Sequence, residues 1–212
     1  MLIPTANHRA TLIFDFDGTL ADSLQTAITV INRLAKMYDF CAIHPLELTS
    51  LREKSALEIV RHLQIPILKV PLIAQKARQM MRSEQQKIRP INGIPIILHT
   101  LKSRGRTLGL LSSNSEENLR LFNQYHKLEL FDFISGTSPL WGKAQHLKRL
   151  LKEHKLPRQE VIMVGDELRD IEAARQCGIK IAAVSWGYNS YEALQEAQPD
   201  WLLEHPRQLL KL

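Results

Sequence analysis

Apolar residues fall into two different rhythms along this chain. Leu12, Ile13 and Phe14 form a short unbroken apolar run, the pattern of a strand, with its turn following at about Leu20. Between residues 22 and 90 the rhythm is helical. Leu24, Ile28, Ile31, Leu34 and Ala35 recur three or four residues apart, and Leu57, Val60 and Leu63 do so later. Asp22 or Ser23 is placed to cap the first of these helices. His44-Pro45 opens another segment, and Pro66 and Pro71 interrupt the pattern. The spacing predicts a bundle of about four helices.

After Pro90, helices and short strands alternate. Residues 95–104 predict a helix opened by Pro95 and closed by Gly105, and residues 107–111 predict a strand. A helix capped by Asn114 or Ser115, with Glu116 and Glu117 at its positive end, runs to about His126. Residues 131–134 read as a strand and residues 143–154 as a helix. Val161, Ile162, Met163 and Val164 make a continuous apolar run, as expected of a strand buried on both faces, and the helix over 167–177 ends at Gly178. A strand over 179–184, a helix over 191–197 and a strand over 201–203 complete the series. This alternation predicts an α/β fold, a Rossmann-like parallel sheet with helices on both faces. The helical block interrupts that domain after its first strand. Residues 1–20 and 91–212 are therefore the expected core, and residues 21–90 an inserted all-helical cap. An insertion there projects from the carboxyl end of the sheet, where open α/β sheets bind ligands.

Bulk properties narrow the function classes. The 212 residues are 44% apolar and 24% charged, an ordinary globular composition. No apolar stretch approaches the ~20 residues of a membrane span, and the first nine residues lack a signal-peptide apolar region. Cys41 and Cys177 are far apart and form no disulfide framework, so a cytoplasmic location is expected. The net charge of +6 raises nucleic acid as a partner. However, Arg78, Arg82, Lys87 and Arg89, and then Lys148, Arg149, Lys152 and Lys155, lie along helical stretches with no interleaved aromatics. They read as solvated faces, and neither nucleic acid nor membrane is an expected partner.

The candidate chemistry gathers at strand ends. Asp15 and Asp17 follow the first apolar run, two residues apart and so on one side of an extended chain, with Gly18 permitting a sharp exit. Two carboxylates so close repel and perturb each other's ionisation. A hard divalent cation such as Mg²⁺ relieves that repulsion. A second strand ends in Ser112, Ser113, Asn114 and Ser115, hydroxyls and N–H groups suited to phosphate oxygens. Lys143 follows Trp141-Gly142 at a helix start, and Gly165-Asp166-Glu167-Leu168-Arg169-Asp170 again sets acids at the end of an apolar strand.

In order and strand-end placement, these pieces resemble the haloacid dehalogenase superfamily of phosphatases. D-F-D-G-T-L-A-D-S (residues 15–23) matches its first motif, Ser112 its second, Lys143 its third and G-D-E-L-R-D (residues 165–170) its fourth. The helical insertion is similar to the C1-type cap, and residues 184–189 resemble the corresponding segment of phosphoglycolate phosphatase-like members. The resemblance implies that Asp15 is the nucleophile and forms an aspartyl-phosphate, and that Asp17 is the general acid and base. It implies Mg²⁺ held by Asp15, the Asp17 backbone oxygen and Asp166, with Asp170 and then Glu167 supporting the ligands. Ser112, Lys143 and the N–H groups of Phe16, Asp17 and Ser113 would bind the phosphoryl group of a small phosphorylated metabolite. Arg52, in the loop-like stretch 51–55, is a further candidate for substrate contact. Asp17, Asp166 and Asp170 argue against haloalkanoate dehalogenation, which needs no metal. A phosphomutase of the β-phosphoglucomutase type and a non-catalytic binding protein stand as the alternatives.

Overall fold

Alternate residues of the central strands feed two separate cores. On β1 (Thr11–Phe14), Leu12 and Phe14 pack on one side while Ile13 packs on the other. On β6 (Val161–Gly165), Ile162 and Val164 join the first side, and Val161 and Met163 the second. Both faces of the sheet are therefore covered, which explains why these strands carry unbroken apolar runs. The structure, a computed structural model, describes residues 10–136 and 142–212.

In chain order, β2 (Ala21–Asp22) follows β1 and leads to α1 (Leu24–Tyr38), α2 (Leu48–Leu51), α3 (Ala56–His62) and α4 (Val70–Glu84). The chain returns through β3 (Arg89–Pro90) to α5 (Ile94–Ser103), β4 (Leu108–Ser112), α6 (Glu116–Tyr125) and β5 (Phe133–Gly136). Next come α7 (Lys143–Glu153), β6, α8 (Leu168–Cys177), β7 (Lys180–Val184), α9 (Tyr191–Glu196) and β8 (Trp201–Leu203). The main sheet has the order β5-β4-β1-β6-β7-β8, and all its pairs are parallel. Helices α5 and α6 cover one face, α7 and α8 the other. From β1 the chain moves to β4 on one side and later to β6 on the other. The carboxyl end of β1 is thus the topological switch point where a crevice opens.

The expected element types hold throughout this α/β series, with ends shifted by one or two residues. One feature is new. Residues 21–22 and 89–90 form a two-stranded antiparallel ribbon at the start and end of the helical block, with Ala21 opposite Pro90 and Asp22 opposite Arg89. Two-residue strands have no periodicity to read. Beyond this ribbon, Val30, Leu34, Leu63, Ile65 and Ile73 form a third apolar cluster inside the helical block, which therefore has its own core. α3 begins with a capping box, in which the Ser55 hydroxyl accepts from the Glu58 N–H and Glu58 accepts from the Ser55 N–H.

Candidate active site

The ends of β1, β4 and β6 and the first turn of α7 converge. The Asp15 N–H donates to the Val164 carbonyl at 2.8 Å, which ties the first acid to the strand carrying Asp166. Asp15, Asp166 and Asp170 are all buried, and each offers an oxygen within 4.8 Å of the others'. Three buried carboxylates this close cost free energy unless cations neutralise them. One cation is Lys143, whose Nζ lies 2.9 Å from Asp15 Oδ1 and also contacts Asp170 Oδ1. A lysine in the first turn of a helix opposes the helix dipole, and the two carboxylates supply the compensation. Lys143 is accordingly held protonated, its pKa pushed up to about 12 as Asp15 and Asp170 outweigh burial.

One lysine does not balance three acids. Burial pushes Asp15 up to about 7 despite Lys143, and burial with Glu167, Asp15 and Asp170 nearby raises Asp166 well above the usual carboxylate range. Asp17 is also raised, chiefly by burial, with the Ser23 hydroxyl opposing. Asp15 Oδ2 and Asp17 Oδ1 are buried without a hydrogen-bond partner among the described residues. Asp15, Asp166 and Asp170 thus form a buried acidic cluster that one lysine leaves uncompensated, which a hard dication relieves, and so the donor set fits Mg²⁺.

Neighbouring residues fix the acids rigidly. Asp166 accepts from the Thr19 hydroxyl at 2.5 Å and from the Tyr188 N–H at 2.7 Å. Asp170 Oδ2 accepts from the Glu167 N–H at 3.0 Å, capping α8 and leaving Oδ1 for Lys143. Glu167 itself pairs with Arg169. Gly18 has φ +78°, and a side chain there or at Gly187 would collide with the Asp166 carboxylate. Ser112, at the end of β4, accepts from the Asn114 N–H at 3.0 Å, which leaves its own proton free to donate. Ser112, Ser113 and Lys143 line one cavity of about 470 Å³. Trp141 lies outside the described residues.

A profile of the haloacid dehalogenase-like hydrolase family matches residues 12–184. The chain belongs to this family. It is 36% identical over 201 residues to phosphoglycolate phosphatase of Synechococcus elongatus, spanning 94% of this chain and 95% of that one. It is 27% identical over 218 residues to phosphoglycolate phosphatase of Aquifex aeolicus, spanning 95% of each. Among solved structures, a haloacid dehalogenase-like family hydrolase from Streptococcus pneumoniae superposes with TM-score 0.77 at 23% identity, covering 96% of this chain and 97% of that one. CbbY from Rhodobacter sphaeroides, solved in complex with phosphate, gives TM-score 0.74 at 20% identity, covering 95% and 96%. These two share the fold.

In this haloacid dehalogenase-like hydrolase, the helical block docks on the core through the 51–55 loop. The Arg52 guanidinium donates to the carbonyls of Gly187 (2.9 Å), Tyr188 (3.1 Å), Ser185 (3.4 Å) and Asn189 (3.5 Å). Its Nε and Nη2 are directed at the core's main chain. The Arg52 carbonyl accepts from the Ser190 N–H and from Asn189 Nδ2. Asn189 also donates to the Lys54 carbonyl and accepts from the Leu168 N–H. Tyr188 adds a second tie, its hydroxyl 3.0 Å from Ser23 Oγ, and Trp186 Nε1 donates to the Thr19 carbonyl at 3.2 Å. Sequence reasoning missed Thr19 and Asn189 as supports, although Thr19 stands inside the first motif. The basic residues of α4 and the turn after it also divide. Arg82 pairs with Glu117 at 2.9 Å and Lys87 with Glu84 at 2.6 Å, as exposed residues do. Arg78 instead faces the cavity of Ser112 and Lys143, so its assignment to a solvated face is corrected. Among the described residues, no helix is long and apolar enough to cross a membrane.

Proposed function

We propose that this hydrolase is a Mg²⁺-dependent phosphatase of small phosphate monoesters, with phosphoglycolate the first substrate to test. The observation that carries the reading is Asp15. It is buried at the switch point of the sheet, one oxygen held by Lys143 and the other unpartnered. Asp15 Oδ2 attacks phosphorus, forming the Oδ2–P bond as the P–O ester bond breaks, in the manner of carboxylate nucleophiles. Asp17, with its raised pKa, gives its proton to the departing ester oxygen. It then takes a proton from the water that attacks the aspartyl-phosphate, releasing phosphate and restoring Asp15. Lys143, the Ser112 hydroxyl and the N–H groups of Phe16, Asp17 and Ser113 hold the phosphoryl oxygens as charge develops. Asp15, the Asp17 carbonyl and Asp166 would hold the Mg²⁺, with Asp170 and Glu167 steadying them. When bound, the ion neutralises charge between an anionic nucleophile and a dianionic ester.

The substrate assignment draws on the relatives that carry the phosphoglycolate phosphatase name over nearly their full length. The domain division at residues 20–21 and 90–91 is supported by the ribbon there and by the separate core beyond it. Free cysteines at exposed Cys41 and buried Cys177 suit a reducing compartment, the cytoplasm. The test is release of inorganic phosphate from 2-phosphoglycolate and a panel of other monoesters. Release is expected with Mg²⁺, and is expected to be lost with EDTA and in Asp15→Asn. A wild-type protein that releases no phosphate from any panel member refutes the phosphatase reading.

A further inference from the structure

Arg78 projects from α4 of the helical block into the cavity of about 470 Å³ that Ser112, Ser113, Lys143 and Arg169 also line. Every other cation of that cavity is matched. Lys143 contacts Asp15 and Asp170, and Arg169 contacts Glu167. Arg78 has no ion pair and no hydrogen bond among the described residues, and its Nη2 is sealed from solvent. Glu172, the acid that also lines the cavity, is exposed and makes no pair with it. A sealed guanidinium nitrogen without a partner is costly, and burial alone lowers the pKa of Arg78. Its neighbours along the same stretch, Arg82 and Lys87, find acids. The helix therefore directs only this basic side chain toward the phosphoryl-binding residues without giving it a partner.

We infer that Arg78 is a specificity residue. It binds a second anionic group, a carboxylate, on the part of the substrate that leaves with the ester oxygen. Three considerations carry this. The phosphoryl end is already served by Lys143 and Ser112. The cavity exceeds what a phosphoryl group alone fills. The planar guanidinium fork matches a carboxylate with two parallel hydrogen bonds, a geometry that a lysine's point charge lacks. Because Arg78 belongs to the helical block and Lys143 to the core, a doubly anionic substrate would bridge the two and favour closure over the site.

The inference rests on the phosphatase reading but is tested by binding, so that the two fail separately. Asp15→Asn serves as the non-turnover background. Isothermal titration calorimetry with Mg²⁺ compares 2-phosphoglycolate with 2-hydroxyethyl phosphate, which replaces the carboxylate by a neutral hydroxymethyl group. The expected result is tighter binding of the carboxylated ester. Adding Arg78→Gln should cut that preference by about 30- to 100-fold, the usual effect of removing one partner of a desolvated charge pair. Arg78→Lys should recover only part of it. If both esters weaken by the same factor in Arg78→Gln, Arg78 grips the transferring phosphoryl group or only holds the helical block, and the proposal is overturned. An unchanged preference overturns it too. Should Arg78→Gln fail to fold by circular dichroism, the same ratio measured with Arg78→Lys decides. Failure of the wild-type protein to release phosphate would remove the enzymatic reading and leave this binding ratio intact.

Discussion

Replacing Asp15 with Asn should abolish turnover and at the same time make the metal-free protein more stable. The carboxyl of Asp15 is raised from 3.8 to about 7, first by burial, with Lys143 opposing and Asp170 adding to the rise. A folded-state pKa above the unfolded one means that the native protein keeps the proton longer. The cost is absent below the unfolded pKa, accumulates as pH rises from about 4 through about 7, and is complete above it. At pH 8 it amounts to about 4 kcal/mol. Asn removes the charge but leaves a buried amide beside Lys143, so we expect about half of that, about 2 kcal/mol, to return as stability. Lys143 retains Asp170 as its partner. For a chain of this size the gain corresponds to about 4–8 °C in Tm. The assay is differential scanning calorimetry at pH 8 in EDTA. The variant should melt above the wild type, and saturating Mg²⁺ should narrow or reverse the difference by stabilising the wild type more. An Asp15→Asn Tm equal to or below that of the wild type in EDTA would refute the reasoning, because the Lys143 pair would then outweigh the burial of the charge.

Two further outcomes follow from residues outside the acidic cluster. Arg52→Gln removes the guanidinium that grips the loop at 185–189, and hydrogen bonds from a charged donor contribute about 1.5–3 kcal/mol. We expect kcat/KM to fall by about 10- to 100-fold, by the same factor for 2-phosphoglycolate and 2-hydroxyethyl phosphate, whereas a loss confined to one ester would assign Arg52 to direct substrate contact. His146 is buried with Nε2 2.7 Å from Ser135 Oγ, and burial pulls its pKa from 6.5 down to about 4. The unfolded chain therefore binds a proton that the native protein refuses, and stability is lost as pH falls from about 6.5 toward 4, by about 2 kcal/mol at pH 5. The Tm drop between pH 7.5 and pH 5 should be about 4–8 °C smaller in His146→Asn, and equal drops in the two proteins would sink this assignment.

Strand and helix types over residues 94–203 were legible because each apolar run met a local stop: Gly178 after α8, a serine before α6 and α9. The acidic strand ends were legible for a similar reason. Asp15, Asp17 and Asp166 follow unbroken apolar runs where charge serves no packing purpose, and Asp170 stands four residues beyond Asp166. The two-residue ribbon at the base of the helical block was not legible, since its pairing joins residues about 70 positions apart with no pattern of their own. Nor could the sequence rank its basic residues. Arg78 and Arg82 are one helical turn apart on α4 and read alike, yet one meets Glu117 and the other faces a cavity without a partner.

What the sequence by itself determined is the local chemistry: which strands are buried on both faces, where they end, and that their ends carry acids, hydroxyls and a lysine. Those properties depend on neighbours along the chain and on the periods of helix and strand. The tertiary structure decided the pairings. It set Lys143 between Asp15 and Asp170, turned Arg52 onto the main chain of the core, and directed Arg78 into the cavity. A side chain's charge is written in its residue type. Whether that charge is matched, screened or left seeking a ligand depends on desolvation and on groups brought close by the fold, and neither has a signature in the linear order.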